Sequence, residues 1–213
     1  MKIAVVLYDF VEPIEIAILG TLSMAKRVYP QLTYFTVSQS SATVELQNGL
    51  HVKTDYDFST APGSDIVVVT GGPGWKAQAK NPQILSFLKD RSSQADTCIA
   101  SVCTGALILA AAGLLDHKRA TTKVPVIAPE TCPLTTLAEE HPTVETIEAL
   151  VVDEGKIITG GGVSLCIDLT LYLLERFLGE DVAQETARIM EYGAAHEANR
   201  KRLPIYKQGR ISA

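Results

Sequence analysis

Residues 97–112 read TCIASVCTGALILAAA, and their character changes within three positions. Thr97 to Val102 is a short apolar run of the kind that forms a strand buried on both faces. From Gly105 the run is rich in Ala and Leu, the composition of a close-packed helix, and Gly113 ends it. Only Cys103 and Thr104 separate the two. A strand that enters a helix with so little loop must turn sharply, and the residue at the corner, Cys103, is expected to be displayed rather than packed away.

The pattern repeats on either side. Asp65 to Thr70 is a second apolar strand, stopped by Gly71-Gly72-Pro73-Gly74, after which Pro82 opens a helix through Phe87 to about Asp90. Further on, Thr146 to Val152 and Lys156 to Thr159 read as strands that Gly160-Gly161-Gly162 breaks off, and Ser164 to Leu178 and Asp181 to Tyr192 as amphipathic helices. At the start, Ile3 to Leu7 is a strand, Pro13 to Val28 a helix and Leu32 to Ser38 a strand. Asn48-Gly49 then turns a small hairpin between Thr43–Leu46 and Leu50–Thr54. Alternating strands and helices imply right-handed crossovers, hence a three-layer α/β/α sandwich around a mainly parallel, flavodoxin-like sheet. Ligands in such folds sit at the carboxyl ends of the strands, where all three glycine-marked or elbow breaks fall.

With 213 residues, 46% hydrophobic and 20% charged, the chain suits one domain, taken as 1–195. Residues 196–213, in which Arg200, Lys201, Arg202, Lys207 and Arg210 face only Glu197, read as a peripheral basic tail. A net charge of −5 argues against nucleic acid as a partner. The apolar run at the N-terminus is too short for a signal peptide or a membrane span, so a cytoplasmic, non-membrane protein is expected.

The four cysteines, Cys98, Cys103, Cys132 and Cys166, show no CxxC spacing, and the four histidines, His51, His117, His141 and His196, stand singly. Neither set suggests a metal or a disulfide, and neither a metal nor a cofactor is expected. The histidines read as surface residues. Cys98 belongs to a buried strand, Cys166 to an apolar helix and Cys132 to a Pro-flanked loop. For Cys103 the plain reading is a small core residue. Its elbow position favours instead a thiol at a helix N-terminus, where unpaired N–H groups and the helix dipole lower a thiol pKa from about 8.5 and can hold an oxyanion.

Beyond these local readings, Thr70-Gly-Gly-Pro-Gly74, Ala100-Ser-Val-Cys-Thr-Gly105, Ala112-Gly-Leu-Leu115, Arg119-Ala-Thr-Thr122 and Thr159-Gly-Gly-Gly-Val163 with Ile167-Asp168 resemble the ThiJ/PfpI superfamily, of class I glutamine amidotransferase-like fold. Within it the chain is most similar to the isocyanide hydratases, in register from residue 1 to about 192. The resemblance implies a carboxylate set against the elbow cysteine, at Glu15, with Glu12 one turn earlier as the second candidate. It implies catalytic roles for Cys103, Glu15 and Thr104, backbone oxyanion donors at Gly72 and Thr104, and pocket positions at Gly71, Pro73, Thr122, Lys123, Gly161, Gly162 and Val163. A carboxyl beside a thiolate works best when it keeps its proton, which requires burial. The isocyanide hydratases carry aspartate in place of Glu15. Peptidase and amidotransferase relatives carry histidine directly after the cysteine, where this chain has Thr104, and many relatives carry histidine where it has Lys123. Asp168 is read either as a group that orients a backbone or pairs across helices, or as a solvated or capping residue.

The implied activity is a cofactor-free, cysteine-dependent hydration of an electrophilic carbon in a small molecule, lyase or hydrolase in class. Two alternatives stay open: a glyoxalase-like or deglycase activity on α-oxoaldehydes, and a ligand- or oxidant-sensing domain without turnover. The resemblance also implies a homodimer, with the apolar helices Glu12–Val28 and Ser164–Leu178 as candidate surfaces. Only about twenty residues follow Tyr192, too few for the three helices of an appended helix-turn-helix module.

Overall fold

Short runs of Val, Ile and Ala, each apolar on both faces, build the centre of the molecule. In a computed structural model, which describes residues 1–40 and 43–208 and the backbone of 210–212, the chain begins with β1 (Lys2–Val6) and a 3-10 turn (Pro13–Ile16) leading into α1 (Ala17–Val28). There follow β2 (Thr33–Ser38), β3 (Thr43–Glu45), β4 (His51–Lys53), β5 (Tyr56–Asp57) and β6 (Ile66–Val69). The middle of the chain supplies α2 (Trp75–Gln78), α3 (Pro82–Ser93), β7 (Cys98–Val102) and α4 (Gly105–Ala111). Then come β8 (Arg119–Ala120), α5 (Pro133–Glu140), β9 (Glu145–Thr146), β10 (Val151–Asp153) and β11 (Ile157–Gly160). The chain closes with α6 (Cys166–Leu178), α7 (Glu180–Ile189), α8 (Gly193–Arg202), β12 (Ile205–Lys207) and β13 (Arg210–Ser212).

The main sheet runs β13-β12-β10-β11-β7-β6-β1-β2-β5, parallel throughout except at β10–β11 and β12–β13. Helices α1, α6 and α7 pack together, as do α3 and α4 against β7, so the expected three-layer sandwich with a mainly parallel sheet is what forms. The core strands β1, β6, β7 and β11 are buried along almost their whole length, which is why they carry no polar alternation.

Register decides where the chemistry can sit. Val6 pairs with Val69, Val69 with Ser101, and Val102 with Gly160. The segments that leave these four strands therefore emerge side by side: Leu7 to Glu15, Thr70 to Gly72, Cys103 with Thr104, and Gly161 to Val163.

Some elements differ from the sequence reading. The expected strand over Thr146–Val152 is two strands, β9 and β10, that belong to different sheets. Helix α5, unforeseen, starts at Pro133, where proline's fixed φ suits a first helical position. The hairpin between β3 and β4 is present, turned by Gly49 at φ 82°. Residues 196–208 are no peripheral tail. They complete α8 and add β12 to the sheet beside β10, because Ile205 finds a buried place there. Among the described residues no helix is long and apolar enough to cross a membrane.

Candidate active site

At the corner between β7 and α4, Cys103 adopts φ 51°, the left-handed region that non-glycine residues rarely enter. Three bonds hold it there. The Cys103 N–H donates to Gly161 O at 3.1 Å, Thr122 Oγ1 donates to Cys103 O at 2.5 Å, and Ala106 N–H donates to Cys103 O. Thr122 thus serves as a strut beneath the elbow rather than as the pocket wall anticipated for it.

The facing wall is glycine because nothing else fits. A Cβ on Gly71 would meet the Thr104 nitrogen at 2.6 Å and the Cys103 Cβ at 2.7 Å. Gly72, at φ 136°, would meet Phe10 and Glu12 backbone at 2.4 Å. Thr104 Oγ1 closes this junction by accepting the Gly72 N–H at 2.8 Å and donating to Gly72 O at 3.2 Å. The Gly72 amide, expected as an oxyanion donor, is therefore already taken. The amides that point at the Cys103 sulfur are those of Val163 and Thr104. Val163 was expected only as pocket wall; its φ of 54° turns its N–H toward the thiol, a feature that no sequence spacing announces.

Glu15 reaches the thiol through local chemistry. Pro13 forces Glu12 into an extended conformation and then opens the 3-10 turn, whose third residue faces inward. Glu15 is fully buried. Its Oε2 accepts the Gly71 N–H, while Oε1 is buried without a well-aligned donor. Burial, countered in part by the Gly71 N–H and the Cys103 thiol, raises the Glu15 pKa from 4.5 to about 8. Glu12, the second candidate, lines the cavity, and Glu15 is the carboxyl whose hydrogen bond and charge act on the Cys103 thiol.

Cys103 corrects two expectations. Its side chain is 2% exposed rather than displayed. Its pKa lies well above the ordinary thiol value, because burial and the neighbouring Glu15 outweigh the Val163 and Thr104 amides. Near neutral pH the resting pair is a thiol and a carboxylic acid. Tyr8, which sequence reasoning did not single out, lies close enough for both groups to raise its own pKa, after burial, and its hydroxyl donates to Thr70 O at 2.8 Å.

Above the sulfur opens a cavity of about 740 Å³. Cys103, Thr104, Gly72, Pro73, Lys123 and Val163 line it, whereas Gly71, Gly161 and Gly162 lie behind the wall, Gly162 beneath the Lys123 backbone and side chain. Among the described residues no three His, Cys, Asp or Glu side chains group as metal ligands would.

Residues 1–176, the part of the chain that carries this elbow, are matched by the model of the DJ-1/PfpI family. The chain belongs to the DJ-1/PfpI family. Among similar DJ-1/PfpI proteins is the isonitrile hydratase of Pseudomonas putida, 33% identical over 171 residues that make up 78% of this chain and 68% of the relative. A ThiJ/PfpI family protein from Pseudomonas syringae superposes with a TM-score of 0.76 at 26% identity, covering 90% of this chain and 74% of the other. The HTH-type transcriptional regulator GbdR of Pseudomonas aeruginosa is 26% identical over 81% of this chain, which spans only 45% of the regulator.

Two further residues fell outside the sequence-based site. Cys166 is buried with its sulfur 3.8 Å from Ile14 O. Asp168, one of two roles left open, proves fully buried and accepts bonds from Tyr192, His196 and Asn199 on the α7–α8 side. It pairs α6 with α8, and His196, expected at the surface, is half-buried in that contact.

Proposed function

We propose that the chain hydrates isocyanides to N-formamides, with Cys103 as nucleophile and Glu15 as proton relay. The observation that carries this reading is the buried Glu15 carboxyl, with a pKa near 8, held against the Cys103 thiol at the floor of the cavity. Similarity to the isonitrile hydratase supports it.

The chemistry asks for such a neutral pair. The terminal carbon of an isocyanide carries a lone pair and becomes a good electrophile once it is protonated. Glu15 gives its proton to that carbon while the Cys103 sulfur bonds to it and the thiol proton passes to Glu15. The product is a thioimidate, with the carboxylic acid restored. Water then adds to the thioimidate carbon, a proton reaches nitrogen, and the C–S bond breaks to release the N-formamide and the thiol. No electrons are gained or lost, so no redox partner is needed. The Val163 and Thr104 amides stabilise the sulfur when it takes up or regains negative charge. Thr104 Oγ1 holds the Gly71-Gly72 wall in register with the thiol.

Incubation with a neutral alkyl isocyanide tests the reading. Wild type should form the N-formamide, Cys103→Ala none, and Glu15→Gln at least about a hundredfold less, in the range that a positioned general acid contributes. Absence of product from wild type, or equal rates in Cys103→Ala, would refute it. The likeness to GbdR favours one second reading, a ligand-sensing domain. Saturable binding of an isocyanide or aldehyde with no product from wild type is what that role would give.

A further inference from the structure

An isocyanide group is three atoms long with its attached carbon, far smaller than a cavity of about 740 Å³. Most of that space must receive the body of the substrate rather than its reacting end. Its lining is electrically lopsided. Four carboxylates face it, Glu12, Glu130, Glu139 and Glu140, against two ammonium groups, Lys76 and Lys123. Lys123 is paired to Glu130 at 3.7 Å, whereas Glu12, Glu139 and Glu140 form no ion pair among the described residues. The Lys76 ammonium has a ring rather than a carboxylate as its neighbour. Trp75 also lines the cavity, and the Lys76 ammonium lies 5.9 Å from the centroid of its ring. The indole face is thus already partnered with a positive charge in this structure.

From this we infer that the substrate of the Cys103 site is an electrophile carried on an amine-bearing, cationic body, and that carboxylate- and phosphate-bearing analogues are rejected. The inference rests on Cys103 as the reacting group under the proposed function. The three carboxylates without an ion pair outnumber the one such ammonium, Lys76, so they attract and hold the cation, and the same field repels anions as they approach. The acids stand at the open side of the cavity, with Glu139 and Glu140 exposed and Glu12 half-buried, so salt screens their effect.

Charge selection can be read without turnover. Three methanethiosulfonate reagents of one size, bearing trimethylammonium, sulfonate or no charge, each convert a thiol to a mixed disulfide with release of methanesulfinate. Rates at Cys103 are followed by mass spectrometry of its peptide, divided by those with a small neutral thiol, and normalised to the uncharged reagent for each variant. At low salt the cationic reagent should exceed the anionic one at Cys103 by about tenfold or more. The ratio should shrink toward one in 0.5 M salt and in the double variant Glu139→Gln, Glu140→Gln. A ratio near one in wild type, a preference for the anion, or a ratio that neither salt nor the double variant lowers would overturn the inference. So would a Cys103 that none of the reagents reaches. Because labelling needs no catalysis, a wild type that hydrates no isocyanide yet shows the cationic preference loses the proposed function and keeps the selectivity.

Discussion

A carboxyl group sealed from water, with one amide and one thiol as neighbours, holds its proton far longer than one in solution. Glu15 titrates near 4.5 when unfolded and near 8 when folded. Between these values the folded chain binds the extra proton, so stability falls as pH rises. The contribution is complete below pH 4.5, is lost through pH 8, and then levels off. Glu15→Gln removes this slope. Relative to wild type it should gain on the order of 3 kcal/mol between pH 5 and pH 8.5, which urea denaturation at the two pH values measures; parallel stabilities would show that Glu15 does not titrate in this window. If Glu15 must deliver a proton, turnover of a neutral isocyanide should also hold steady up to about pH 8 and decline above it, with that decline absent in the residual rate of Glu15→Gln. The position of Cys103 was legible from the abrupt join between an apolar strand and an Ala-rich helix. Its proton affinity was not. A local reading sees only the helix end, whereas Glu15 comes from 88 positions upstream and the burial from four converging segments.

Close approach between segments is the second thing that holds the site. Gly71 stands against the start of α4 with no room for a methyl group, since the nearest atoms are the Thr104 nitrogen and the Cys103 Cβ. Neither is a flexible side-chain end that can move aside. Gly71→Ala should therefore destabilise the fold by about 2–3 kcal/mol and lower turnover further by displacing Thr104 from Gly72. Gly20, on α1, has nothing within 4 Å of an added Cβ, and Gly20→Ala should stabilise by about 0.5–1 kcal/mol. Chemical denaturation of the pair separates steric fit from a general dislike of substitution; a Gly71→Ala as stable as wild type would mean the elbow is not tightly held. The strands and main helices were readable because their apolar periods are long. The division of Thr146–Val152 into β9 and β10 was not, because sheet membership depends on which distant strand pairs with each half. Nor was α5, whose eight residues, opening on Pro133, give barely two turns in which an apolar repeat can show.

The C-terminal segment shows how far composition alone misleads. Its cluster of basic residues looked like a solvated tail, yet charge marks only the outward side of α8, and the inward side supplies His196 and Asn199. Asp168, buried on α6, accepts Tyr192 Oη at 2.9 Å, His196 Nδ1 at 2.6 Å and Asn199 Nδ2 at 2.9 Å. Beyond α8, Leu150 N–H donates to Pro204 O at 2.9 Å, and Ile205 and Tyr206 pair with Val151 and Val152. Removing residues 193–213 would strip two of the three donors from a fully buried carboxyl and leave β10 with an open edge. The loss should exceed about 3 kcal/mol, since a buried carboxyl deprived of partners is among the most costly defects. Asn199→Ala, which deletes one donor and leaves the strand in place, should lose about 1–2 kcal/mol. Asp168→Asn, by contrast, can keep an acceptor oxygen for Tyr192 and Asn199, which share Oδ2, but then places its amide against His196 Nδ1, so it should fall between the two. Urea midpoints for the three variants give the order, and a truncated chain as stable as wild type would return the segment to the status of a tail. The consequence reaches the thiol, because α6 begins three residues after Val163, whose amide points at the Cys103 sulfur: variants that loosen α8 from Asp168 should raise the rate at which a small neutral reagent modifies Cys103.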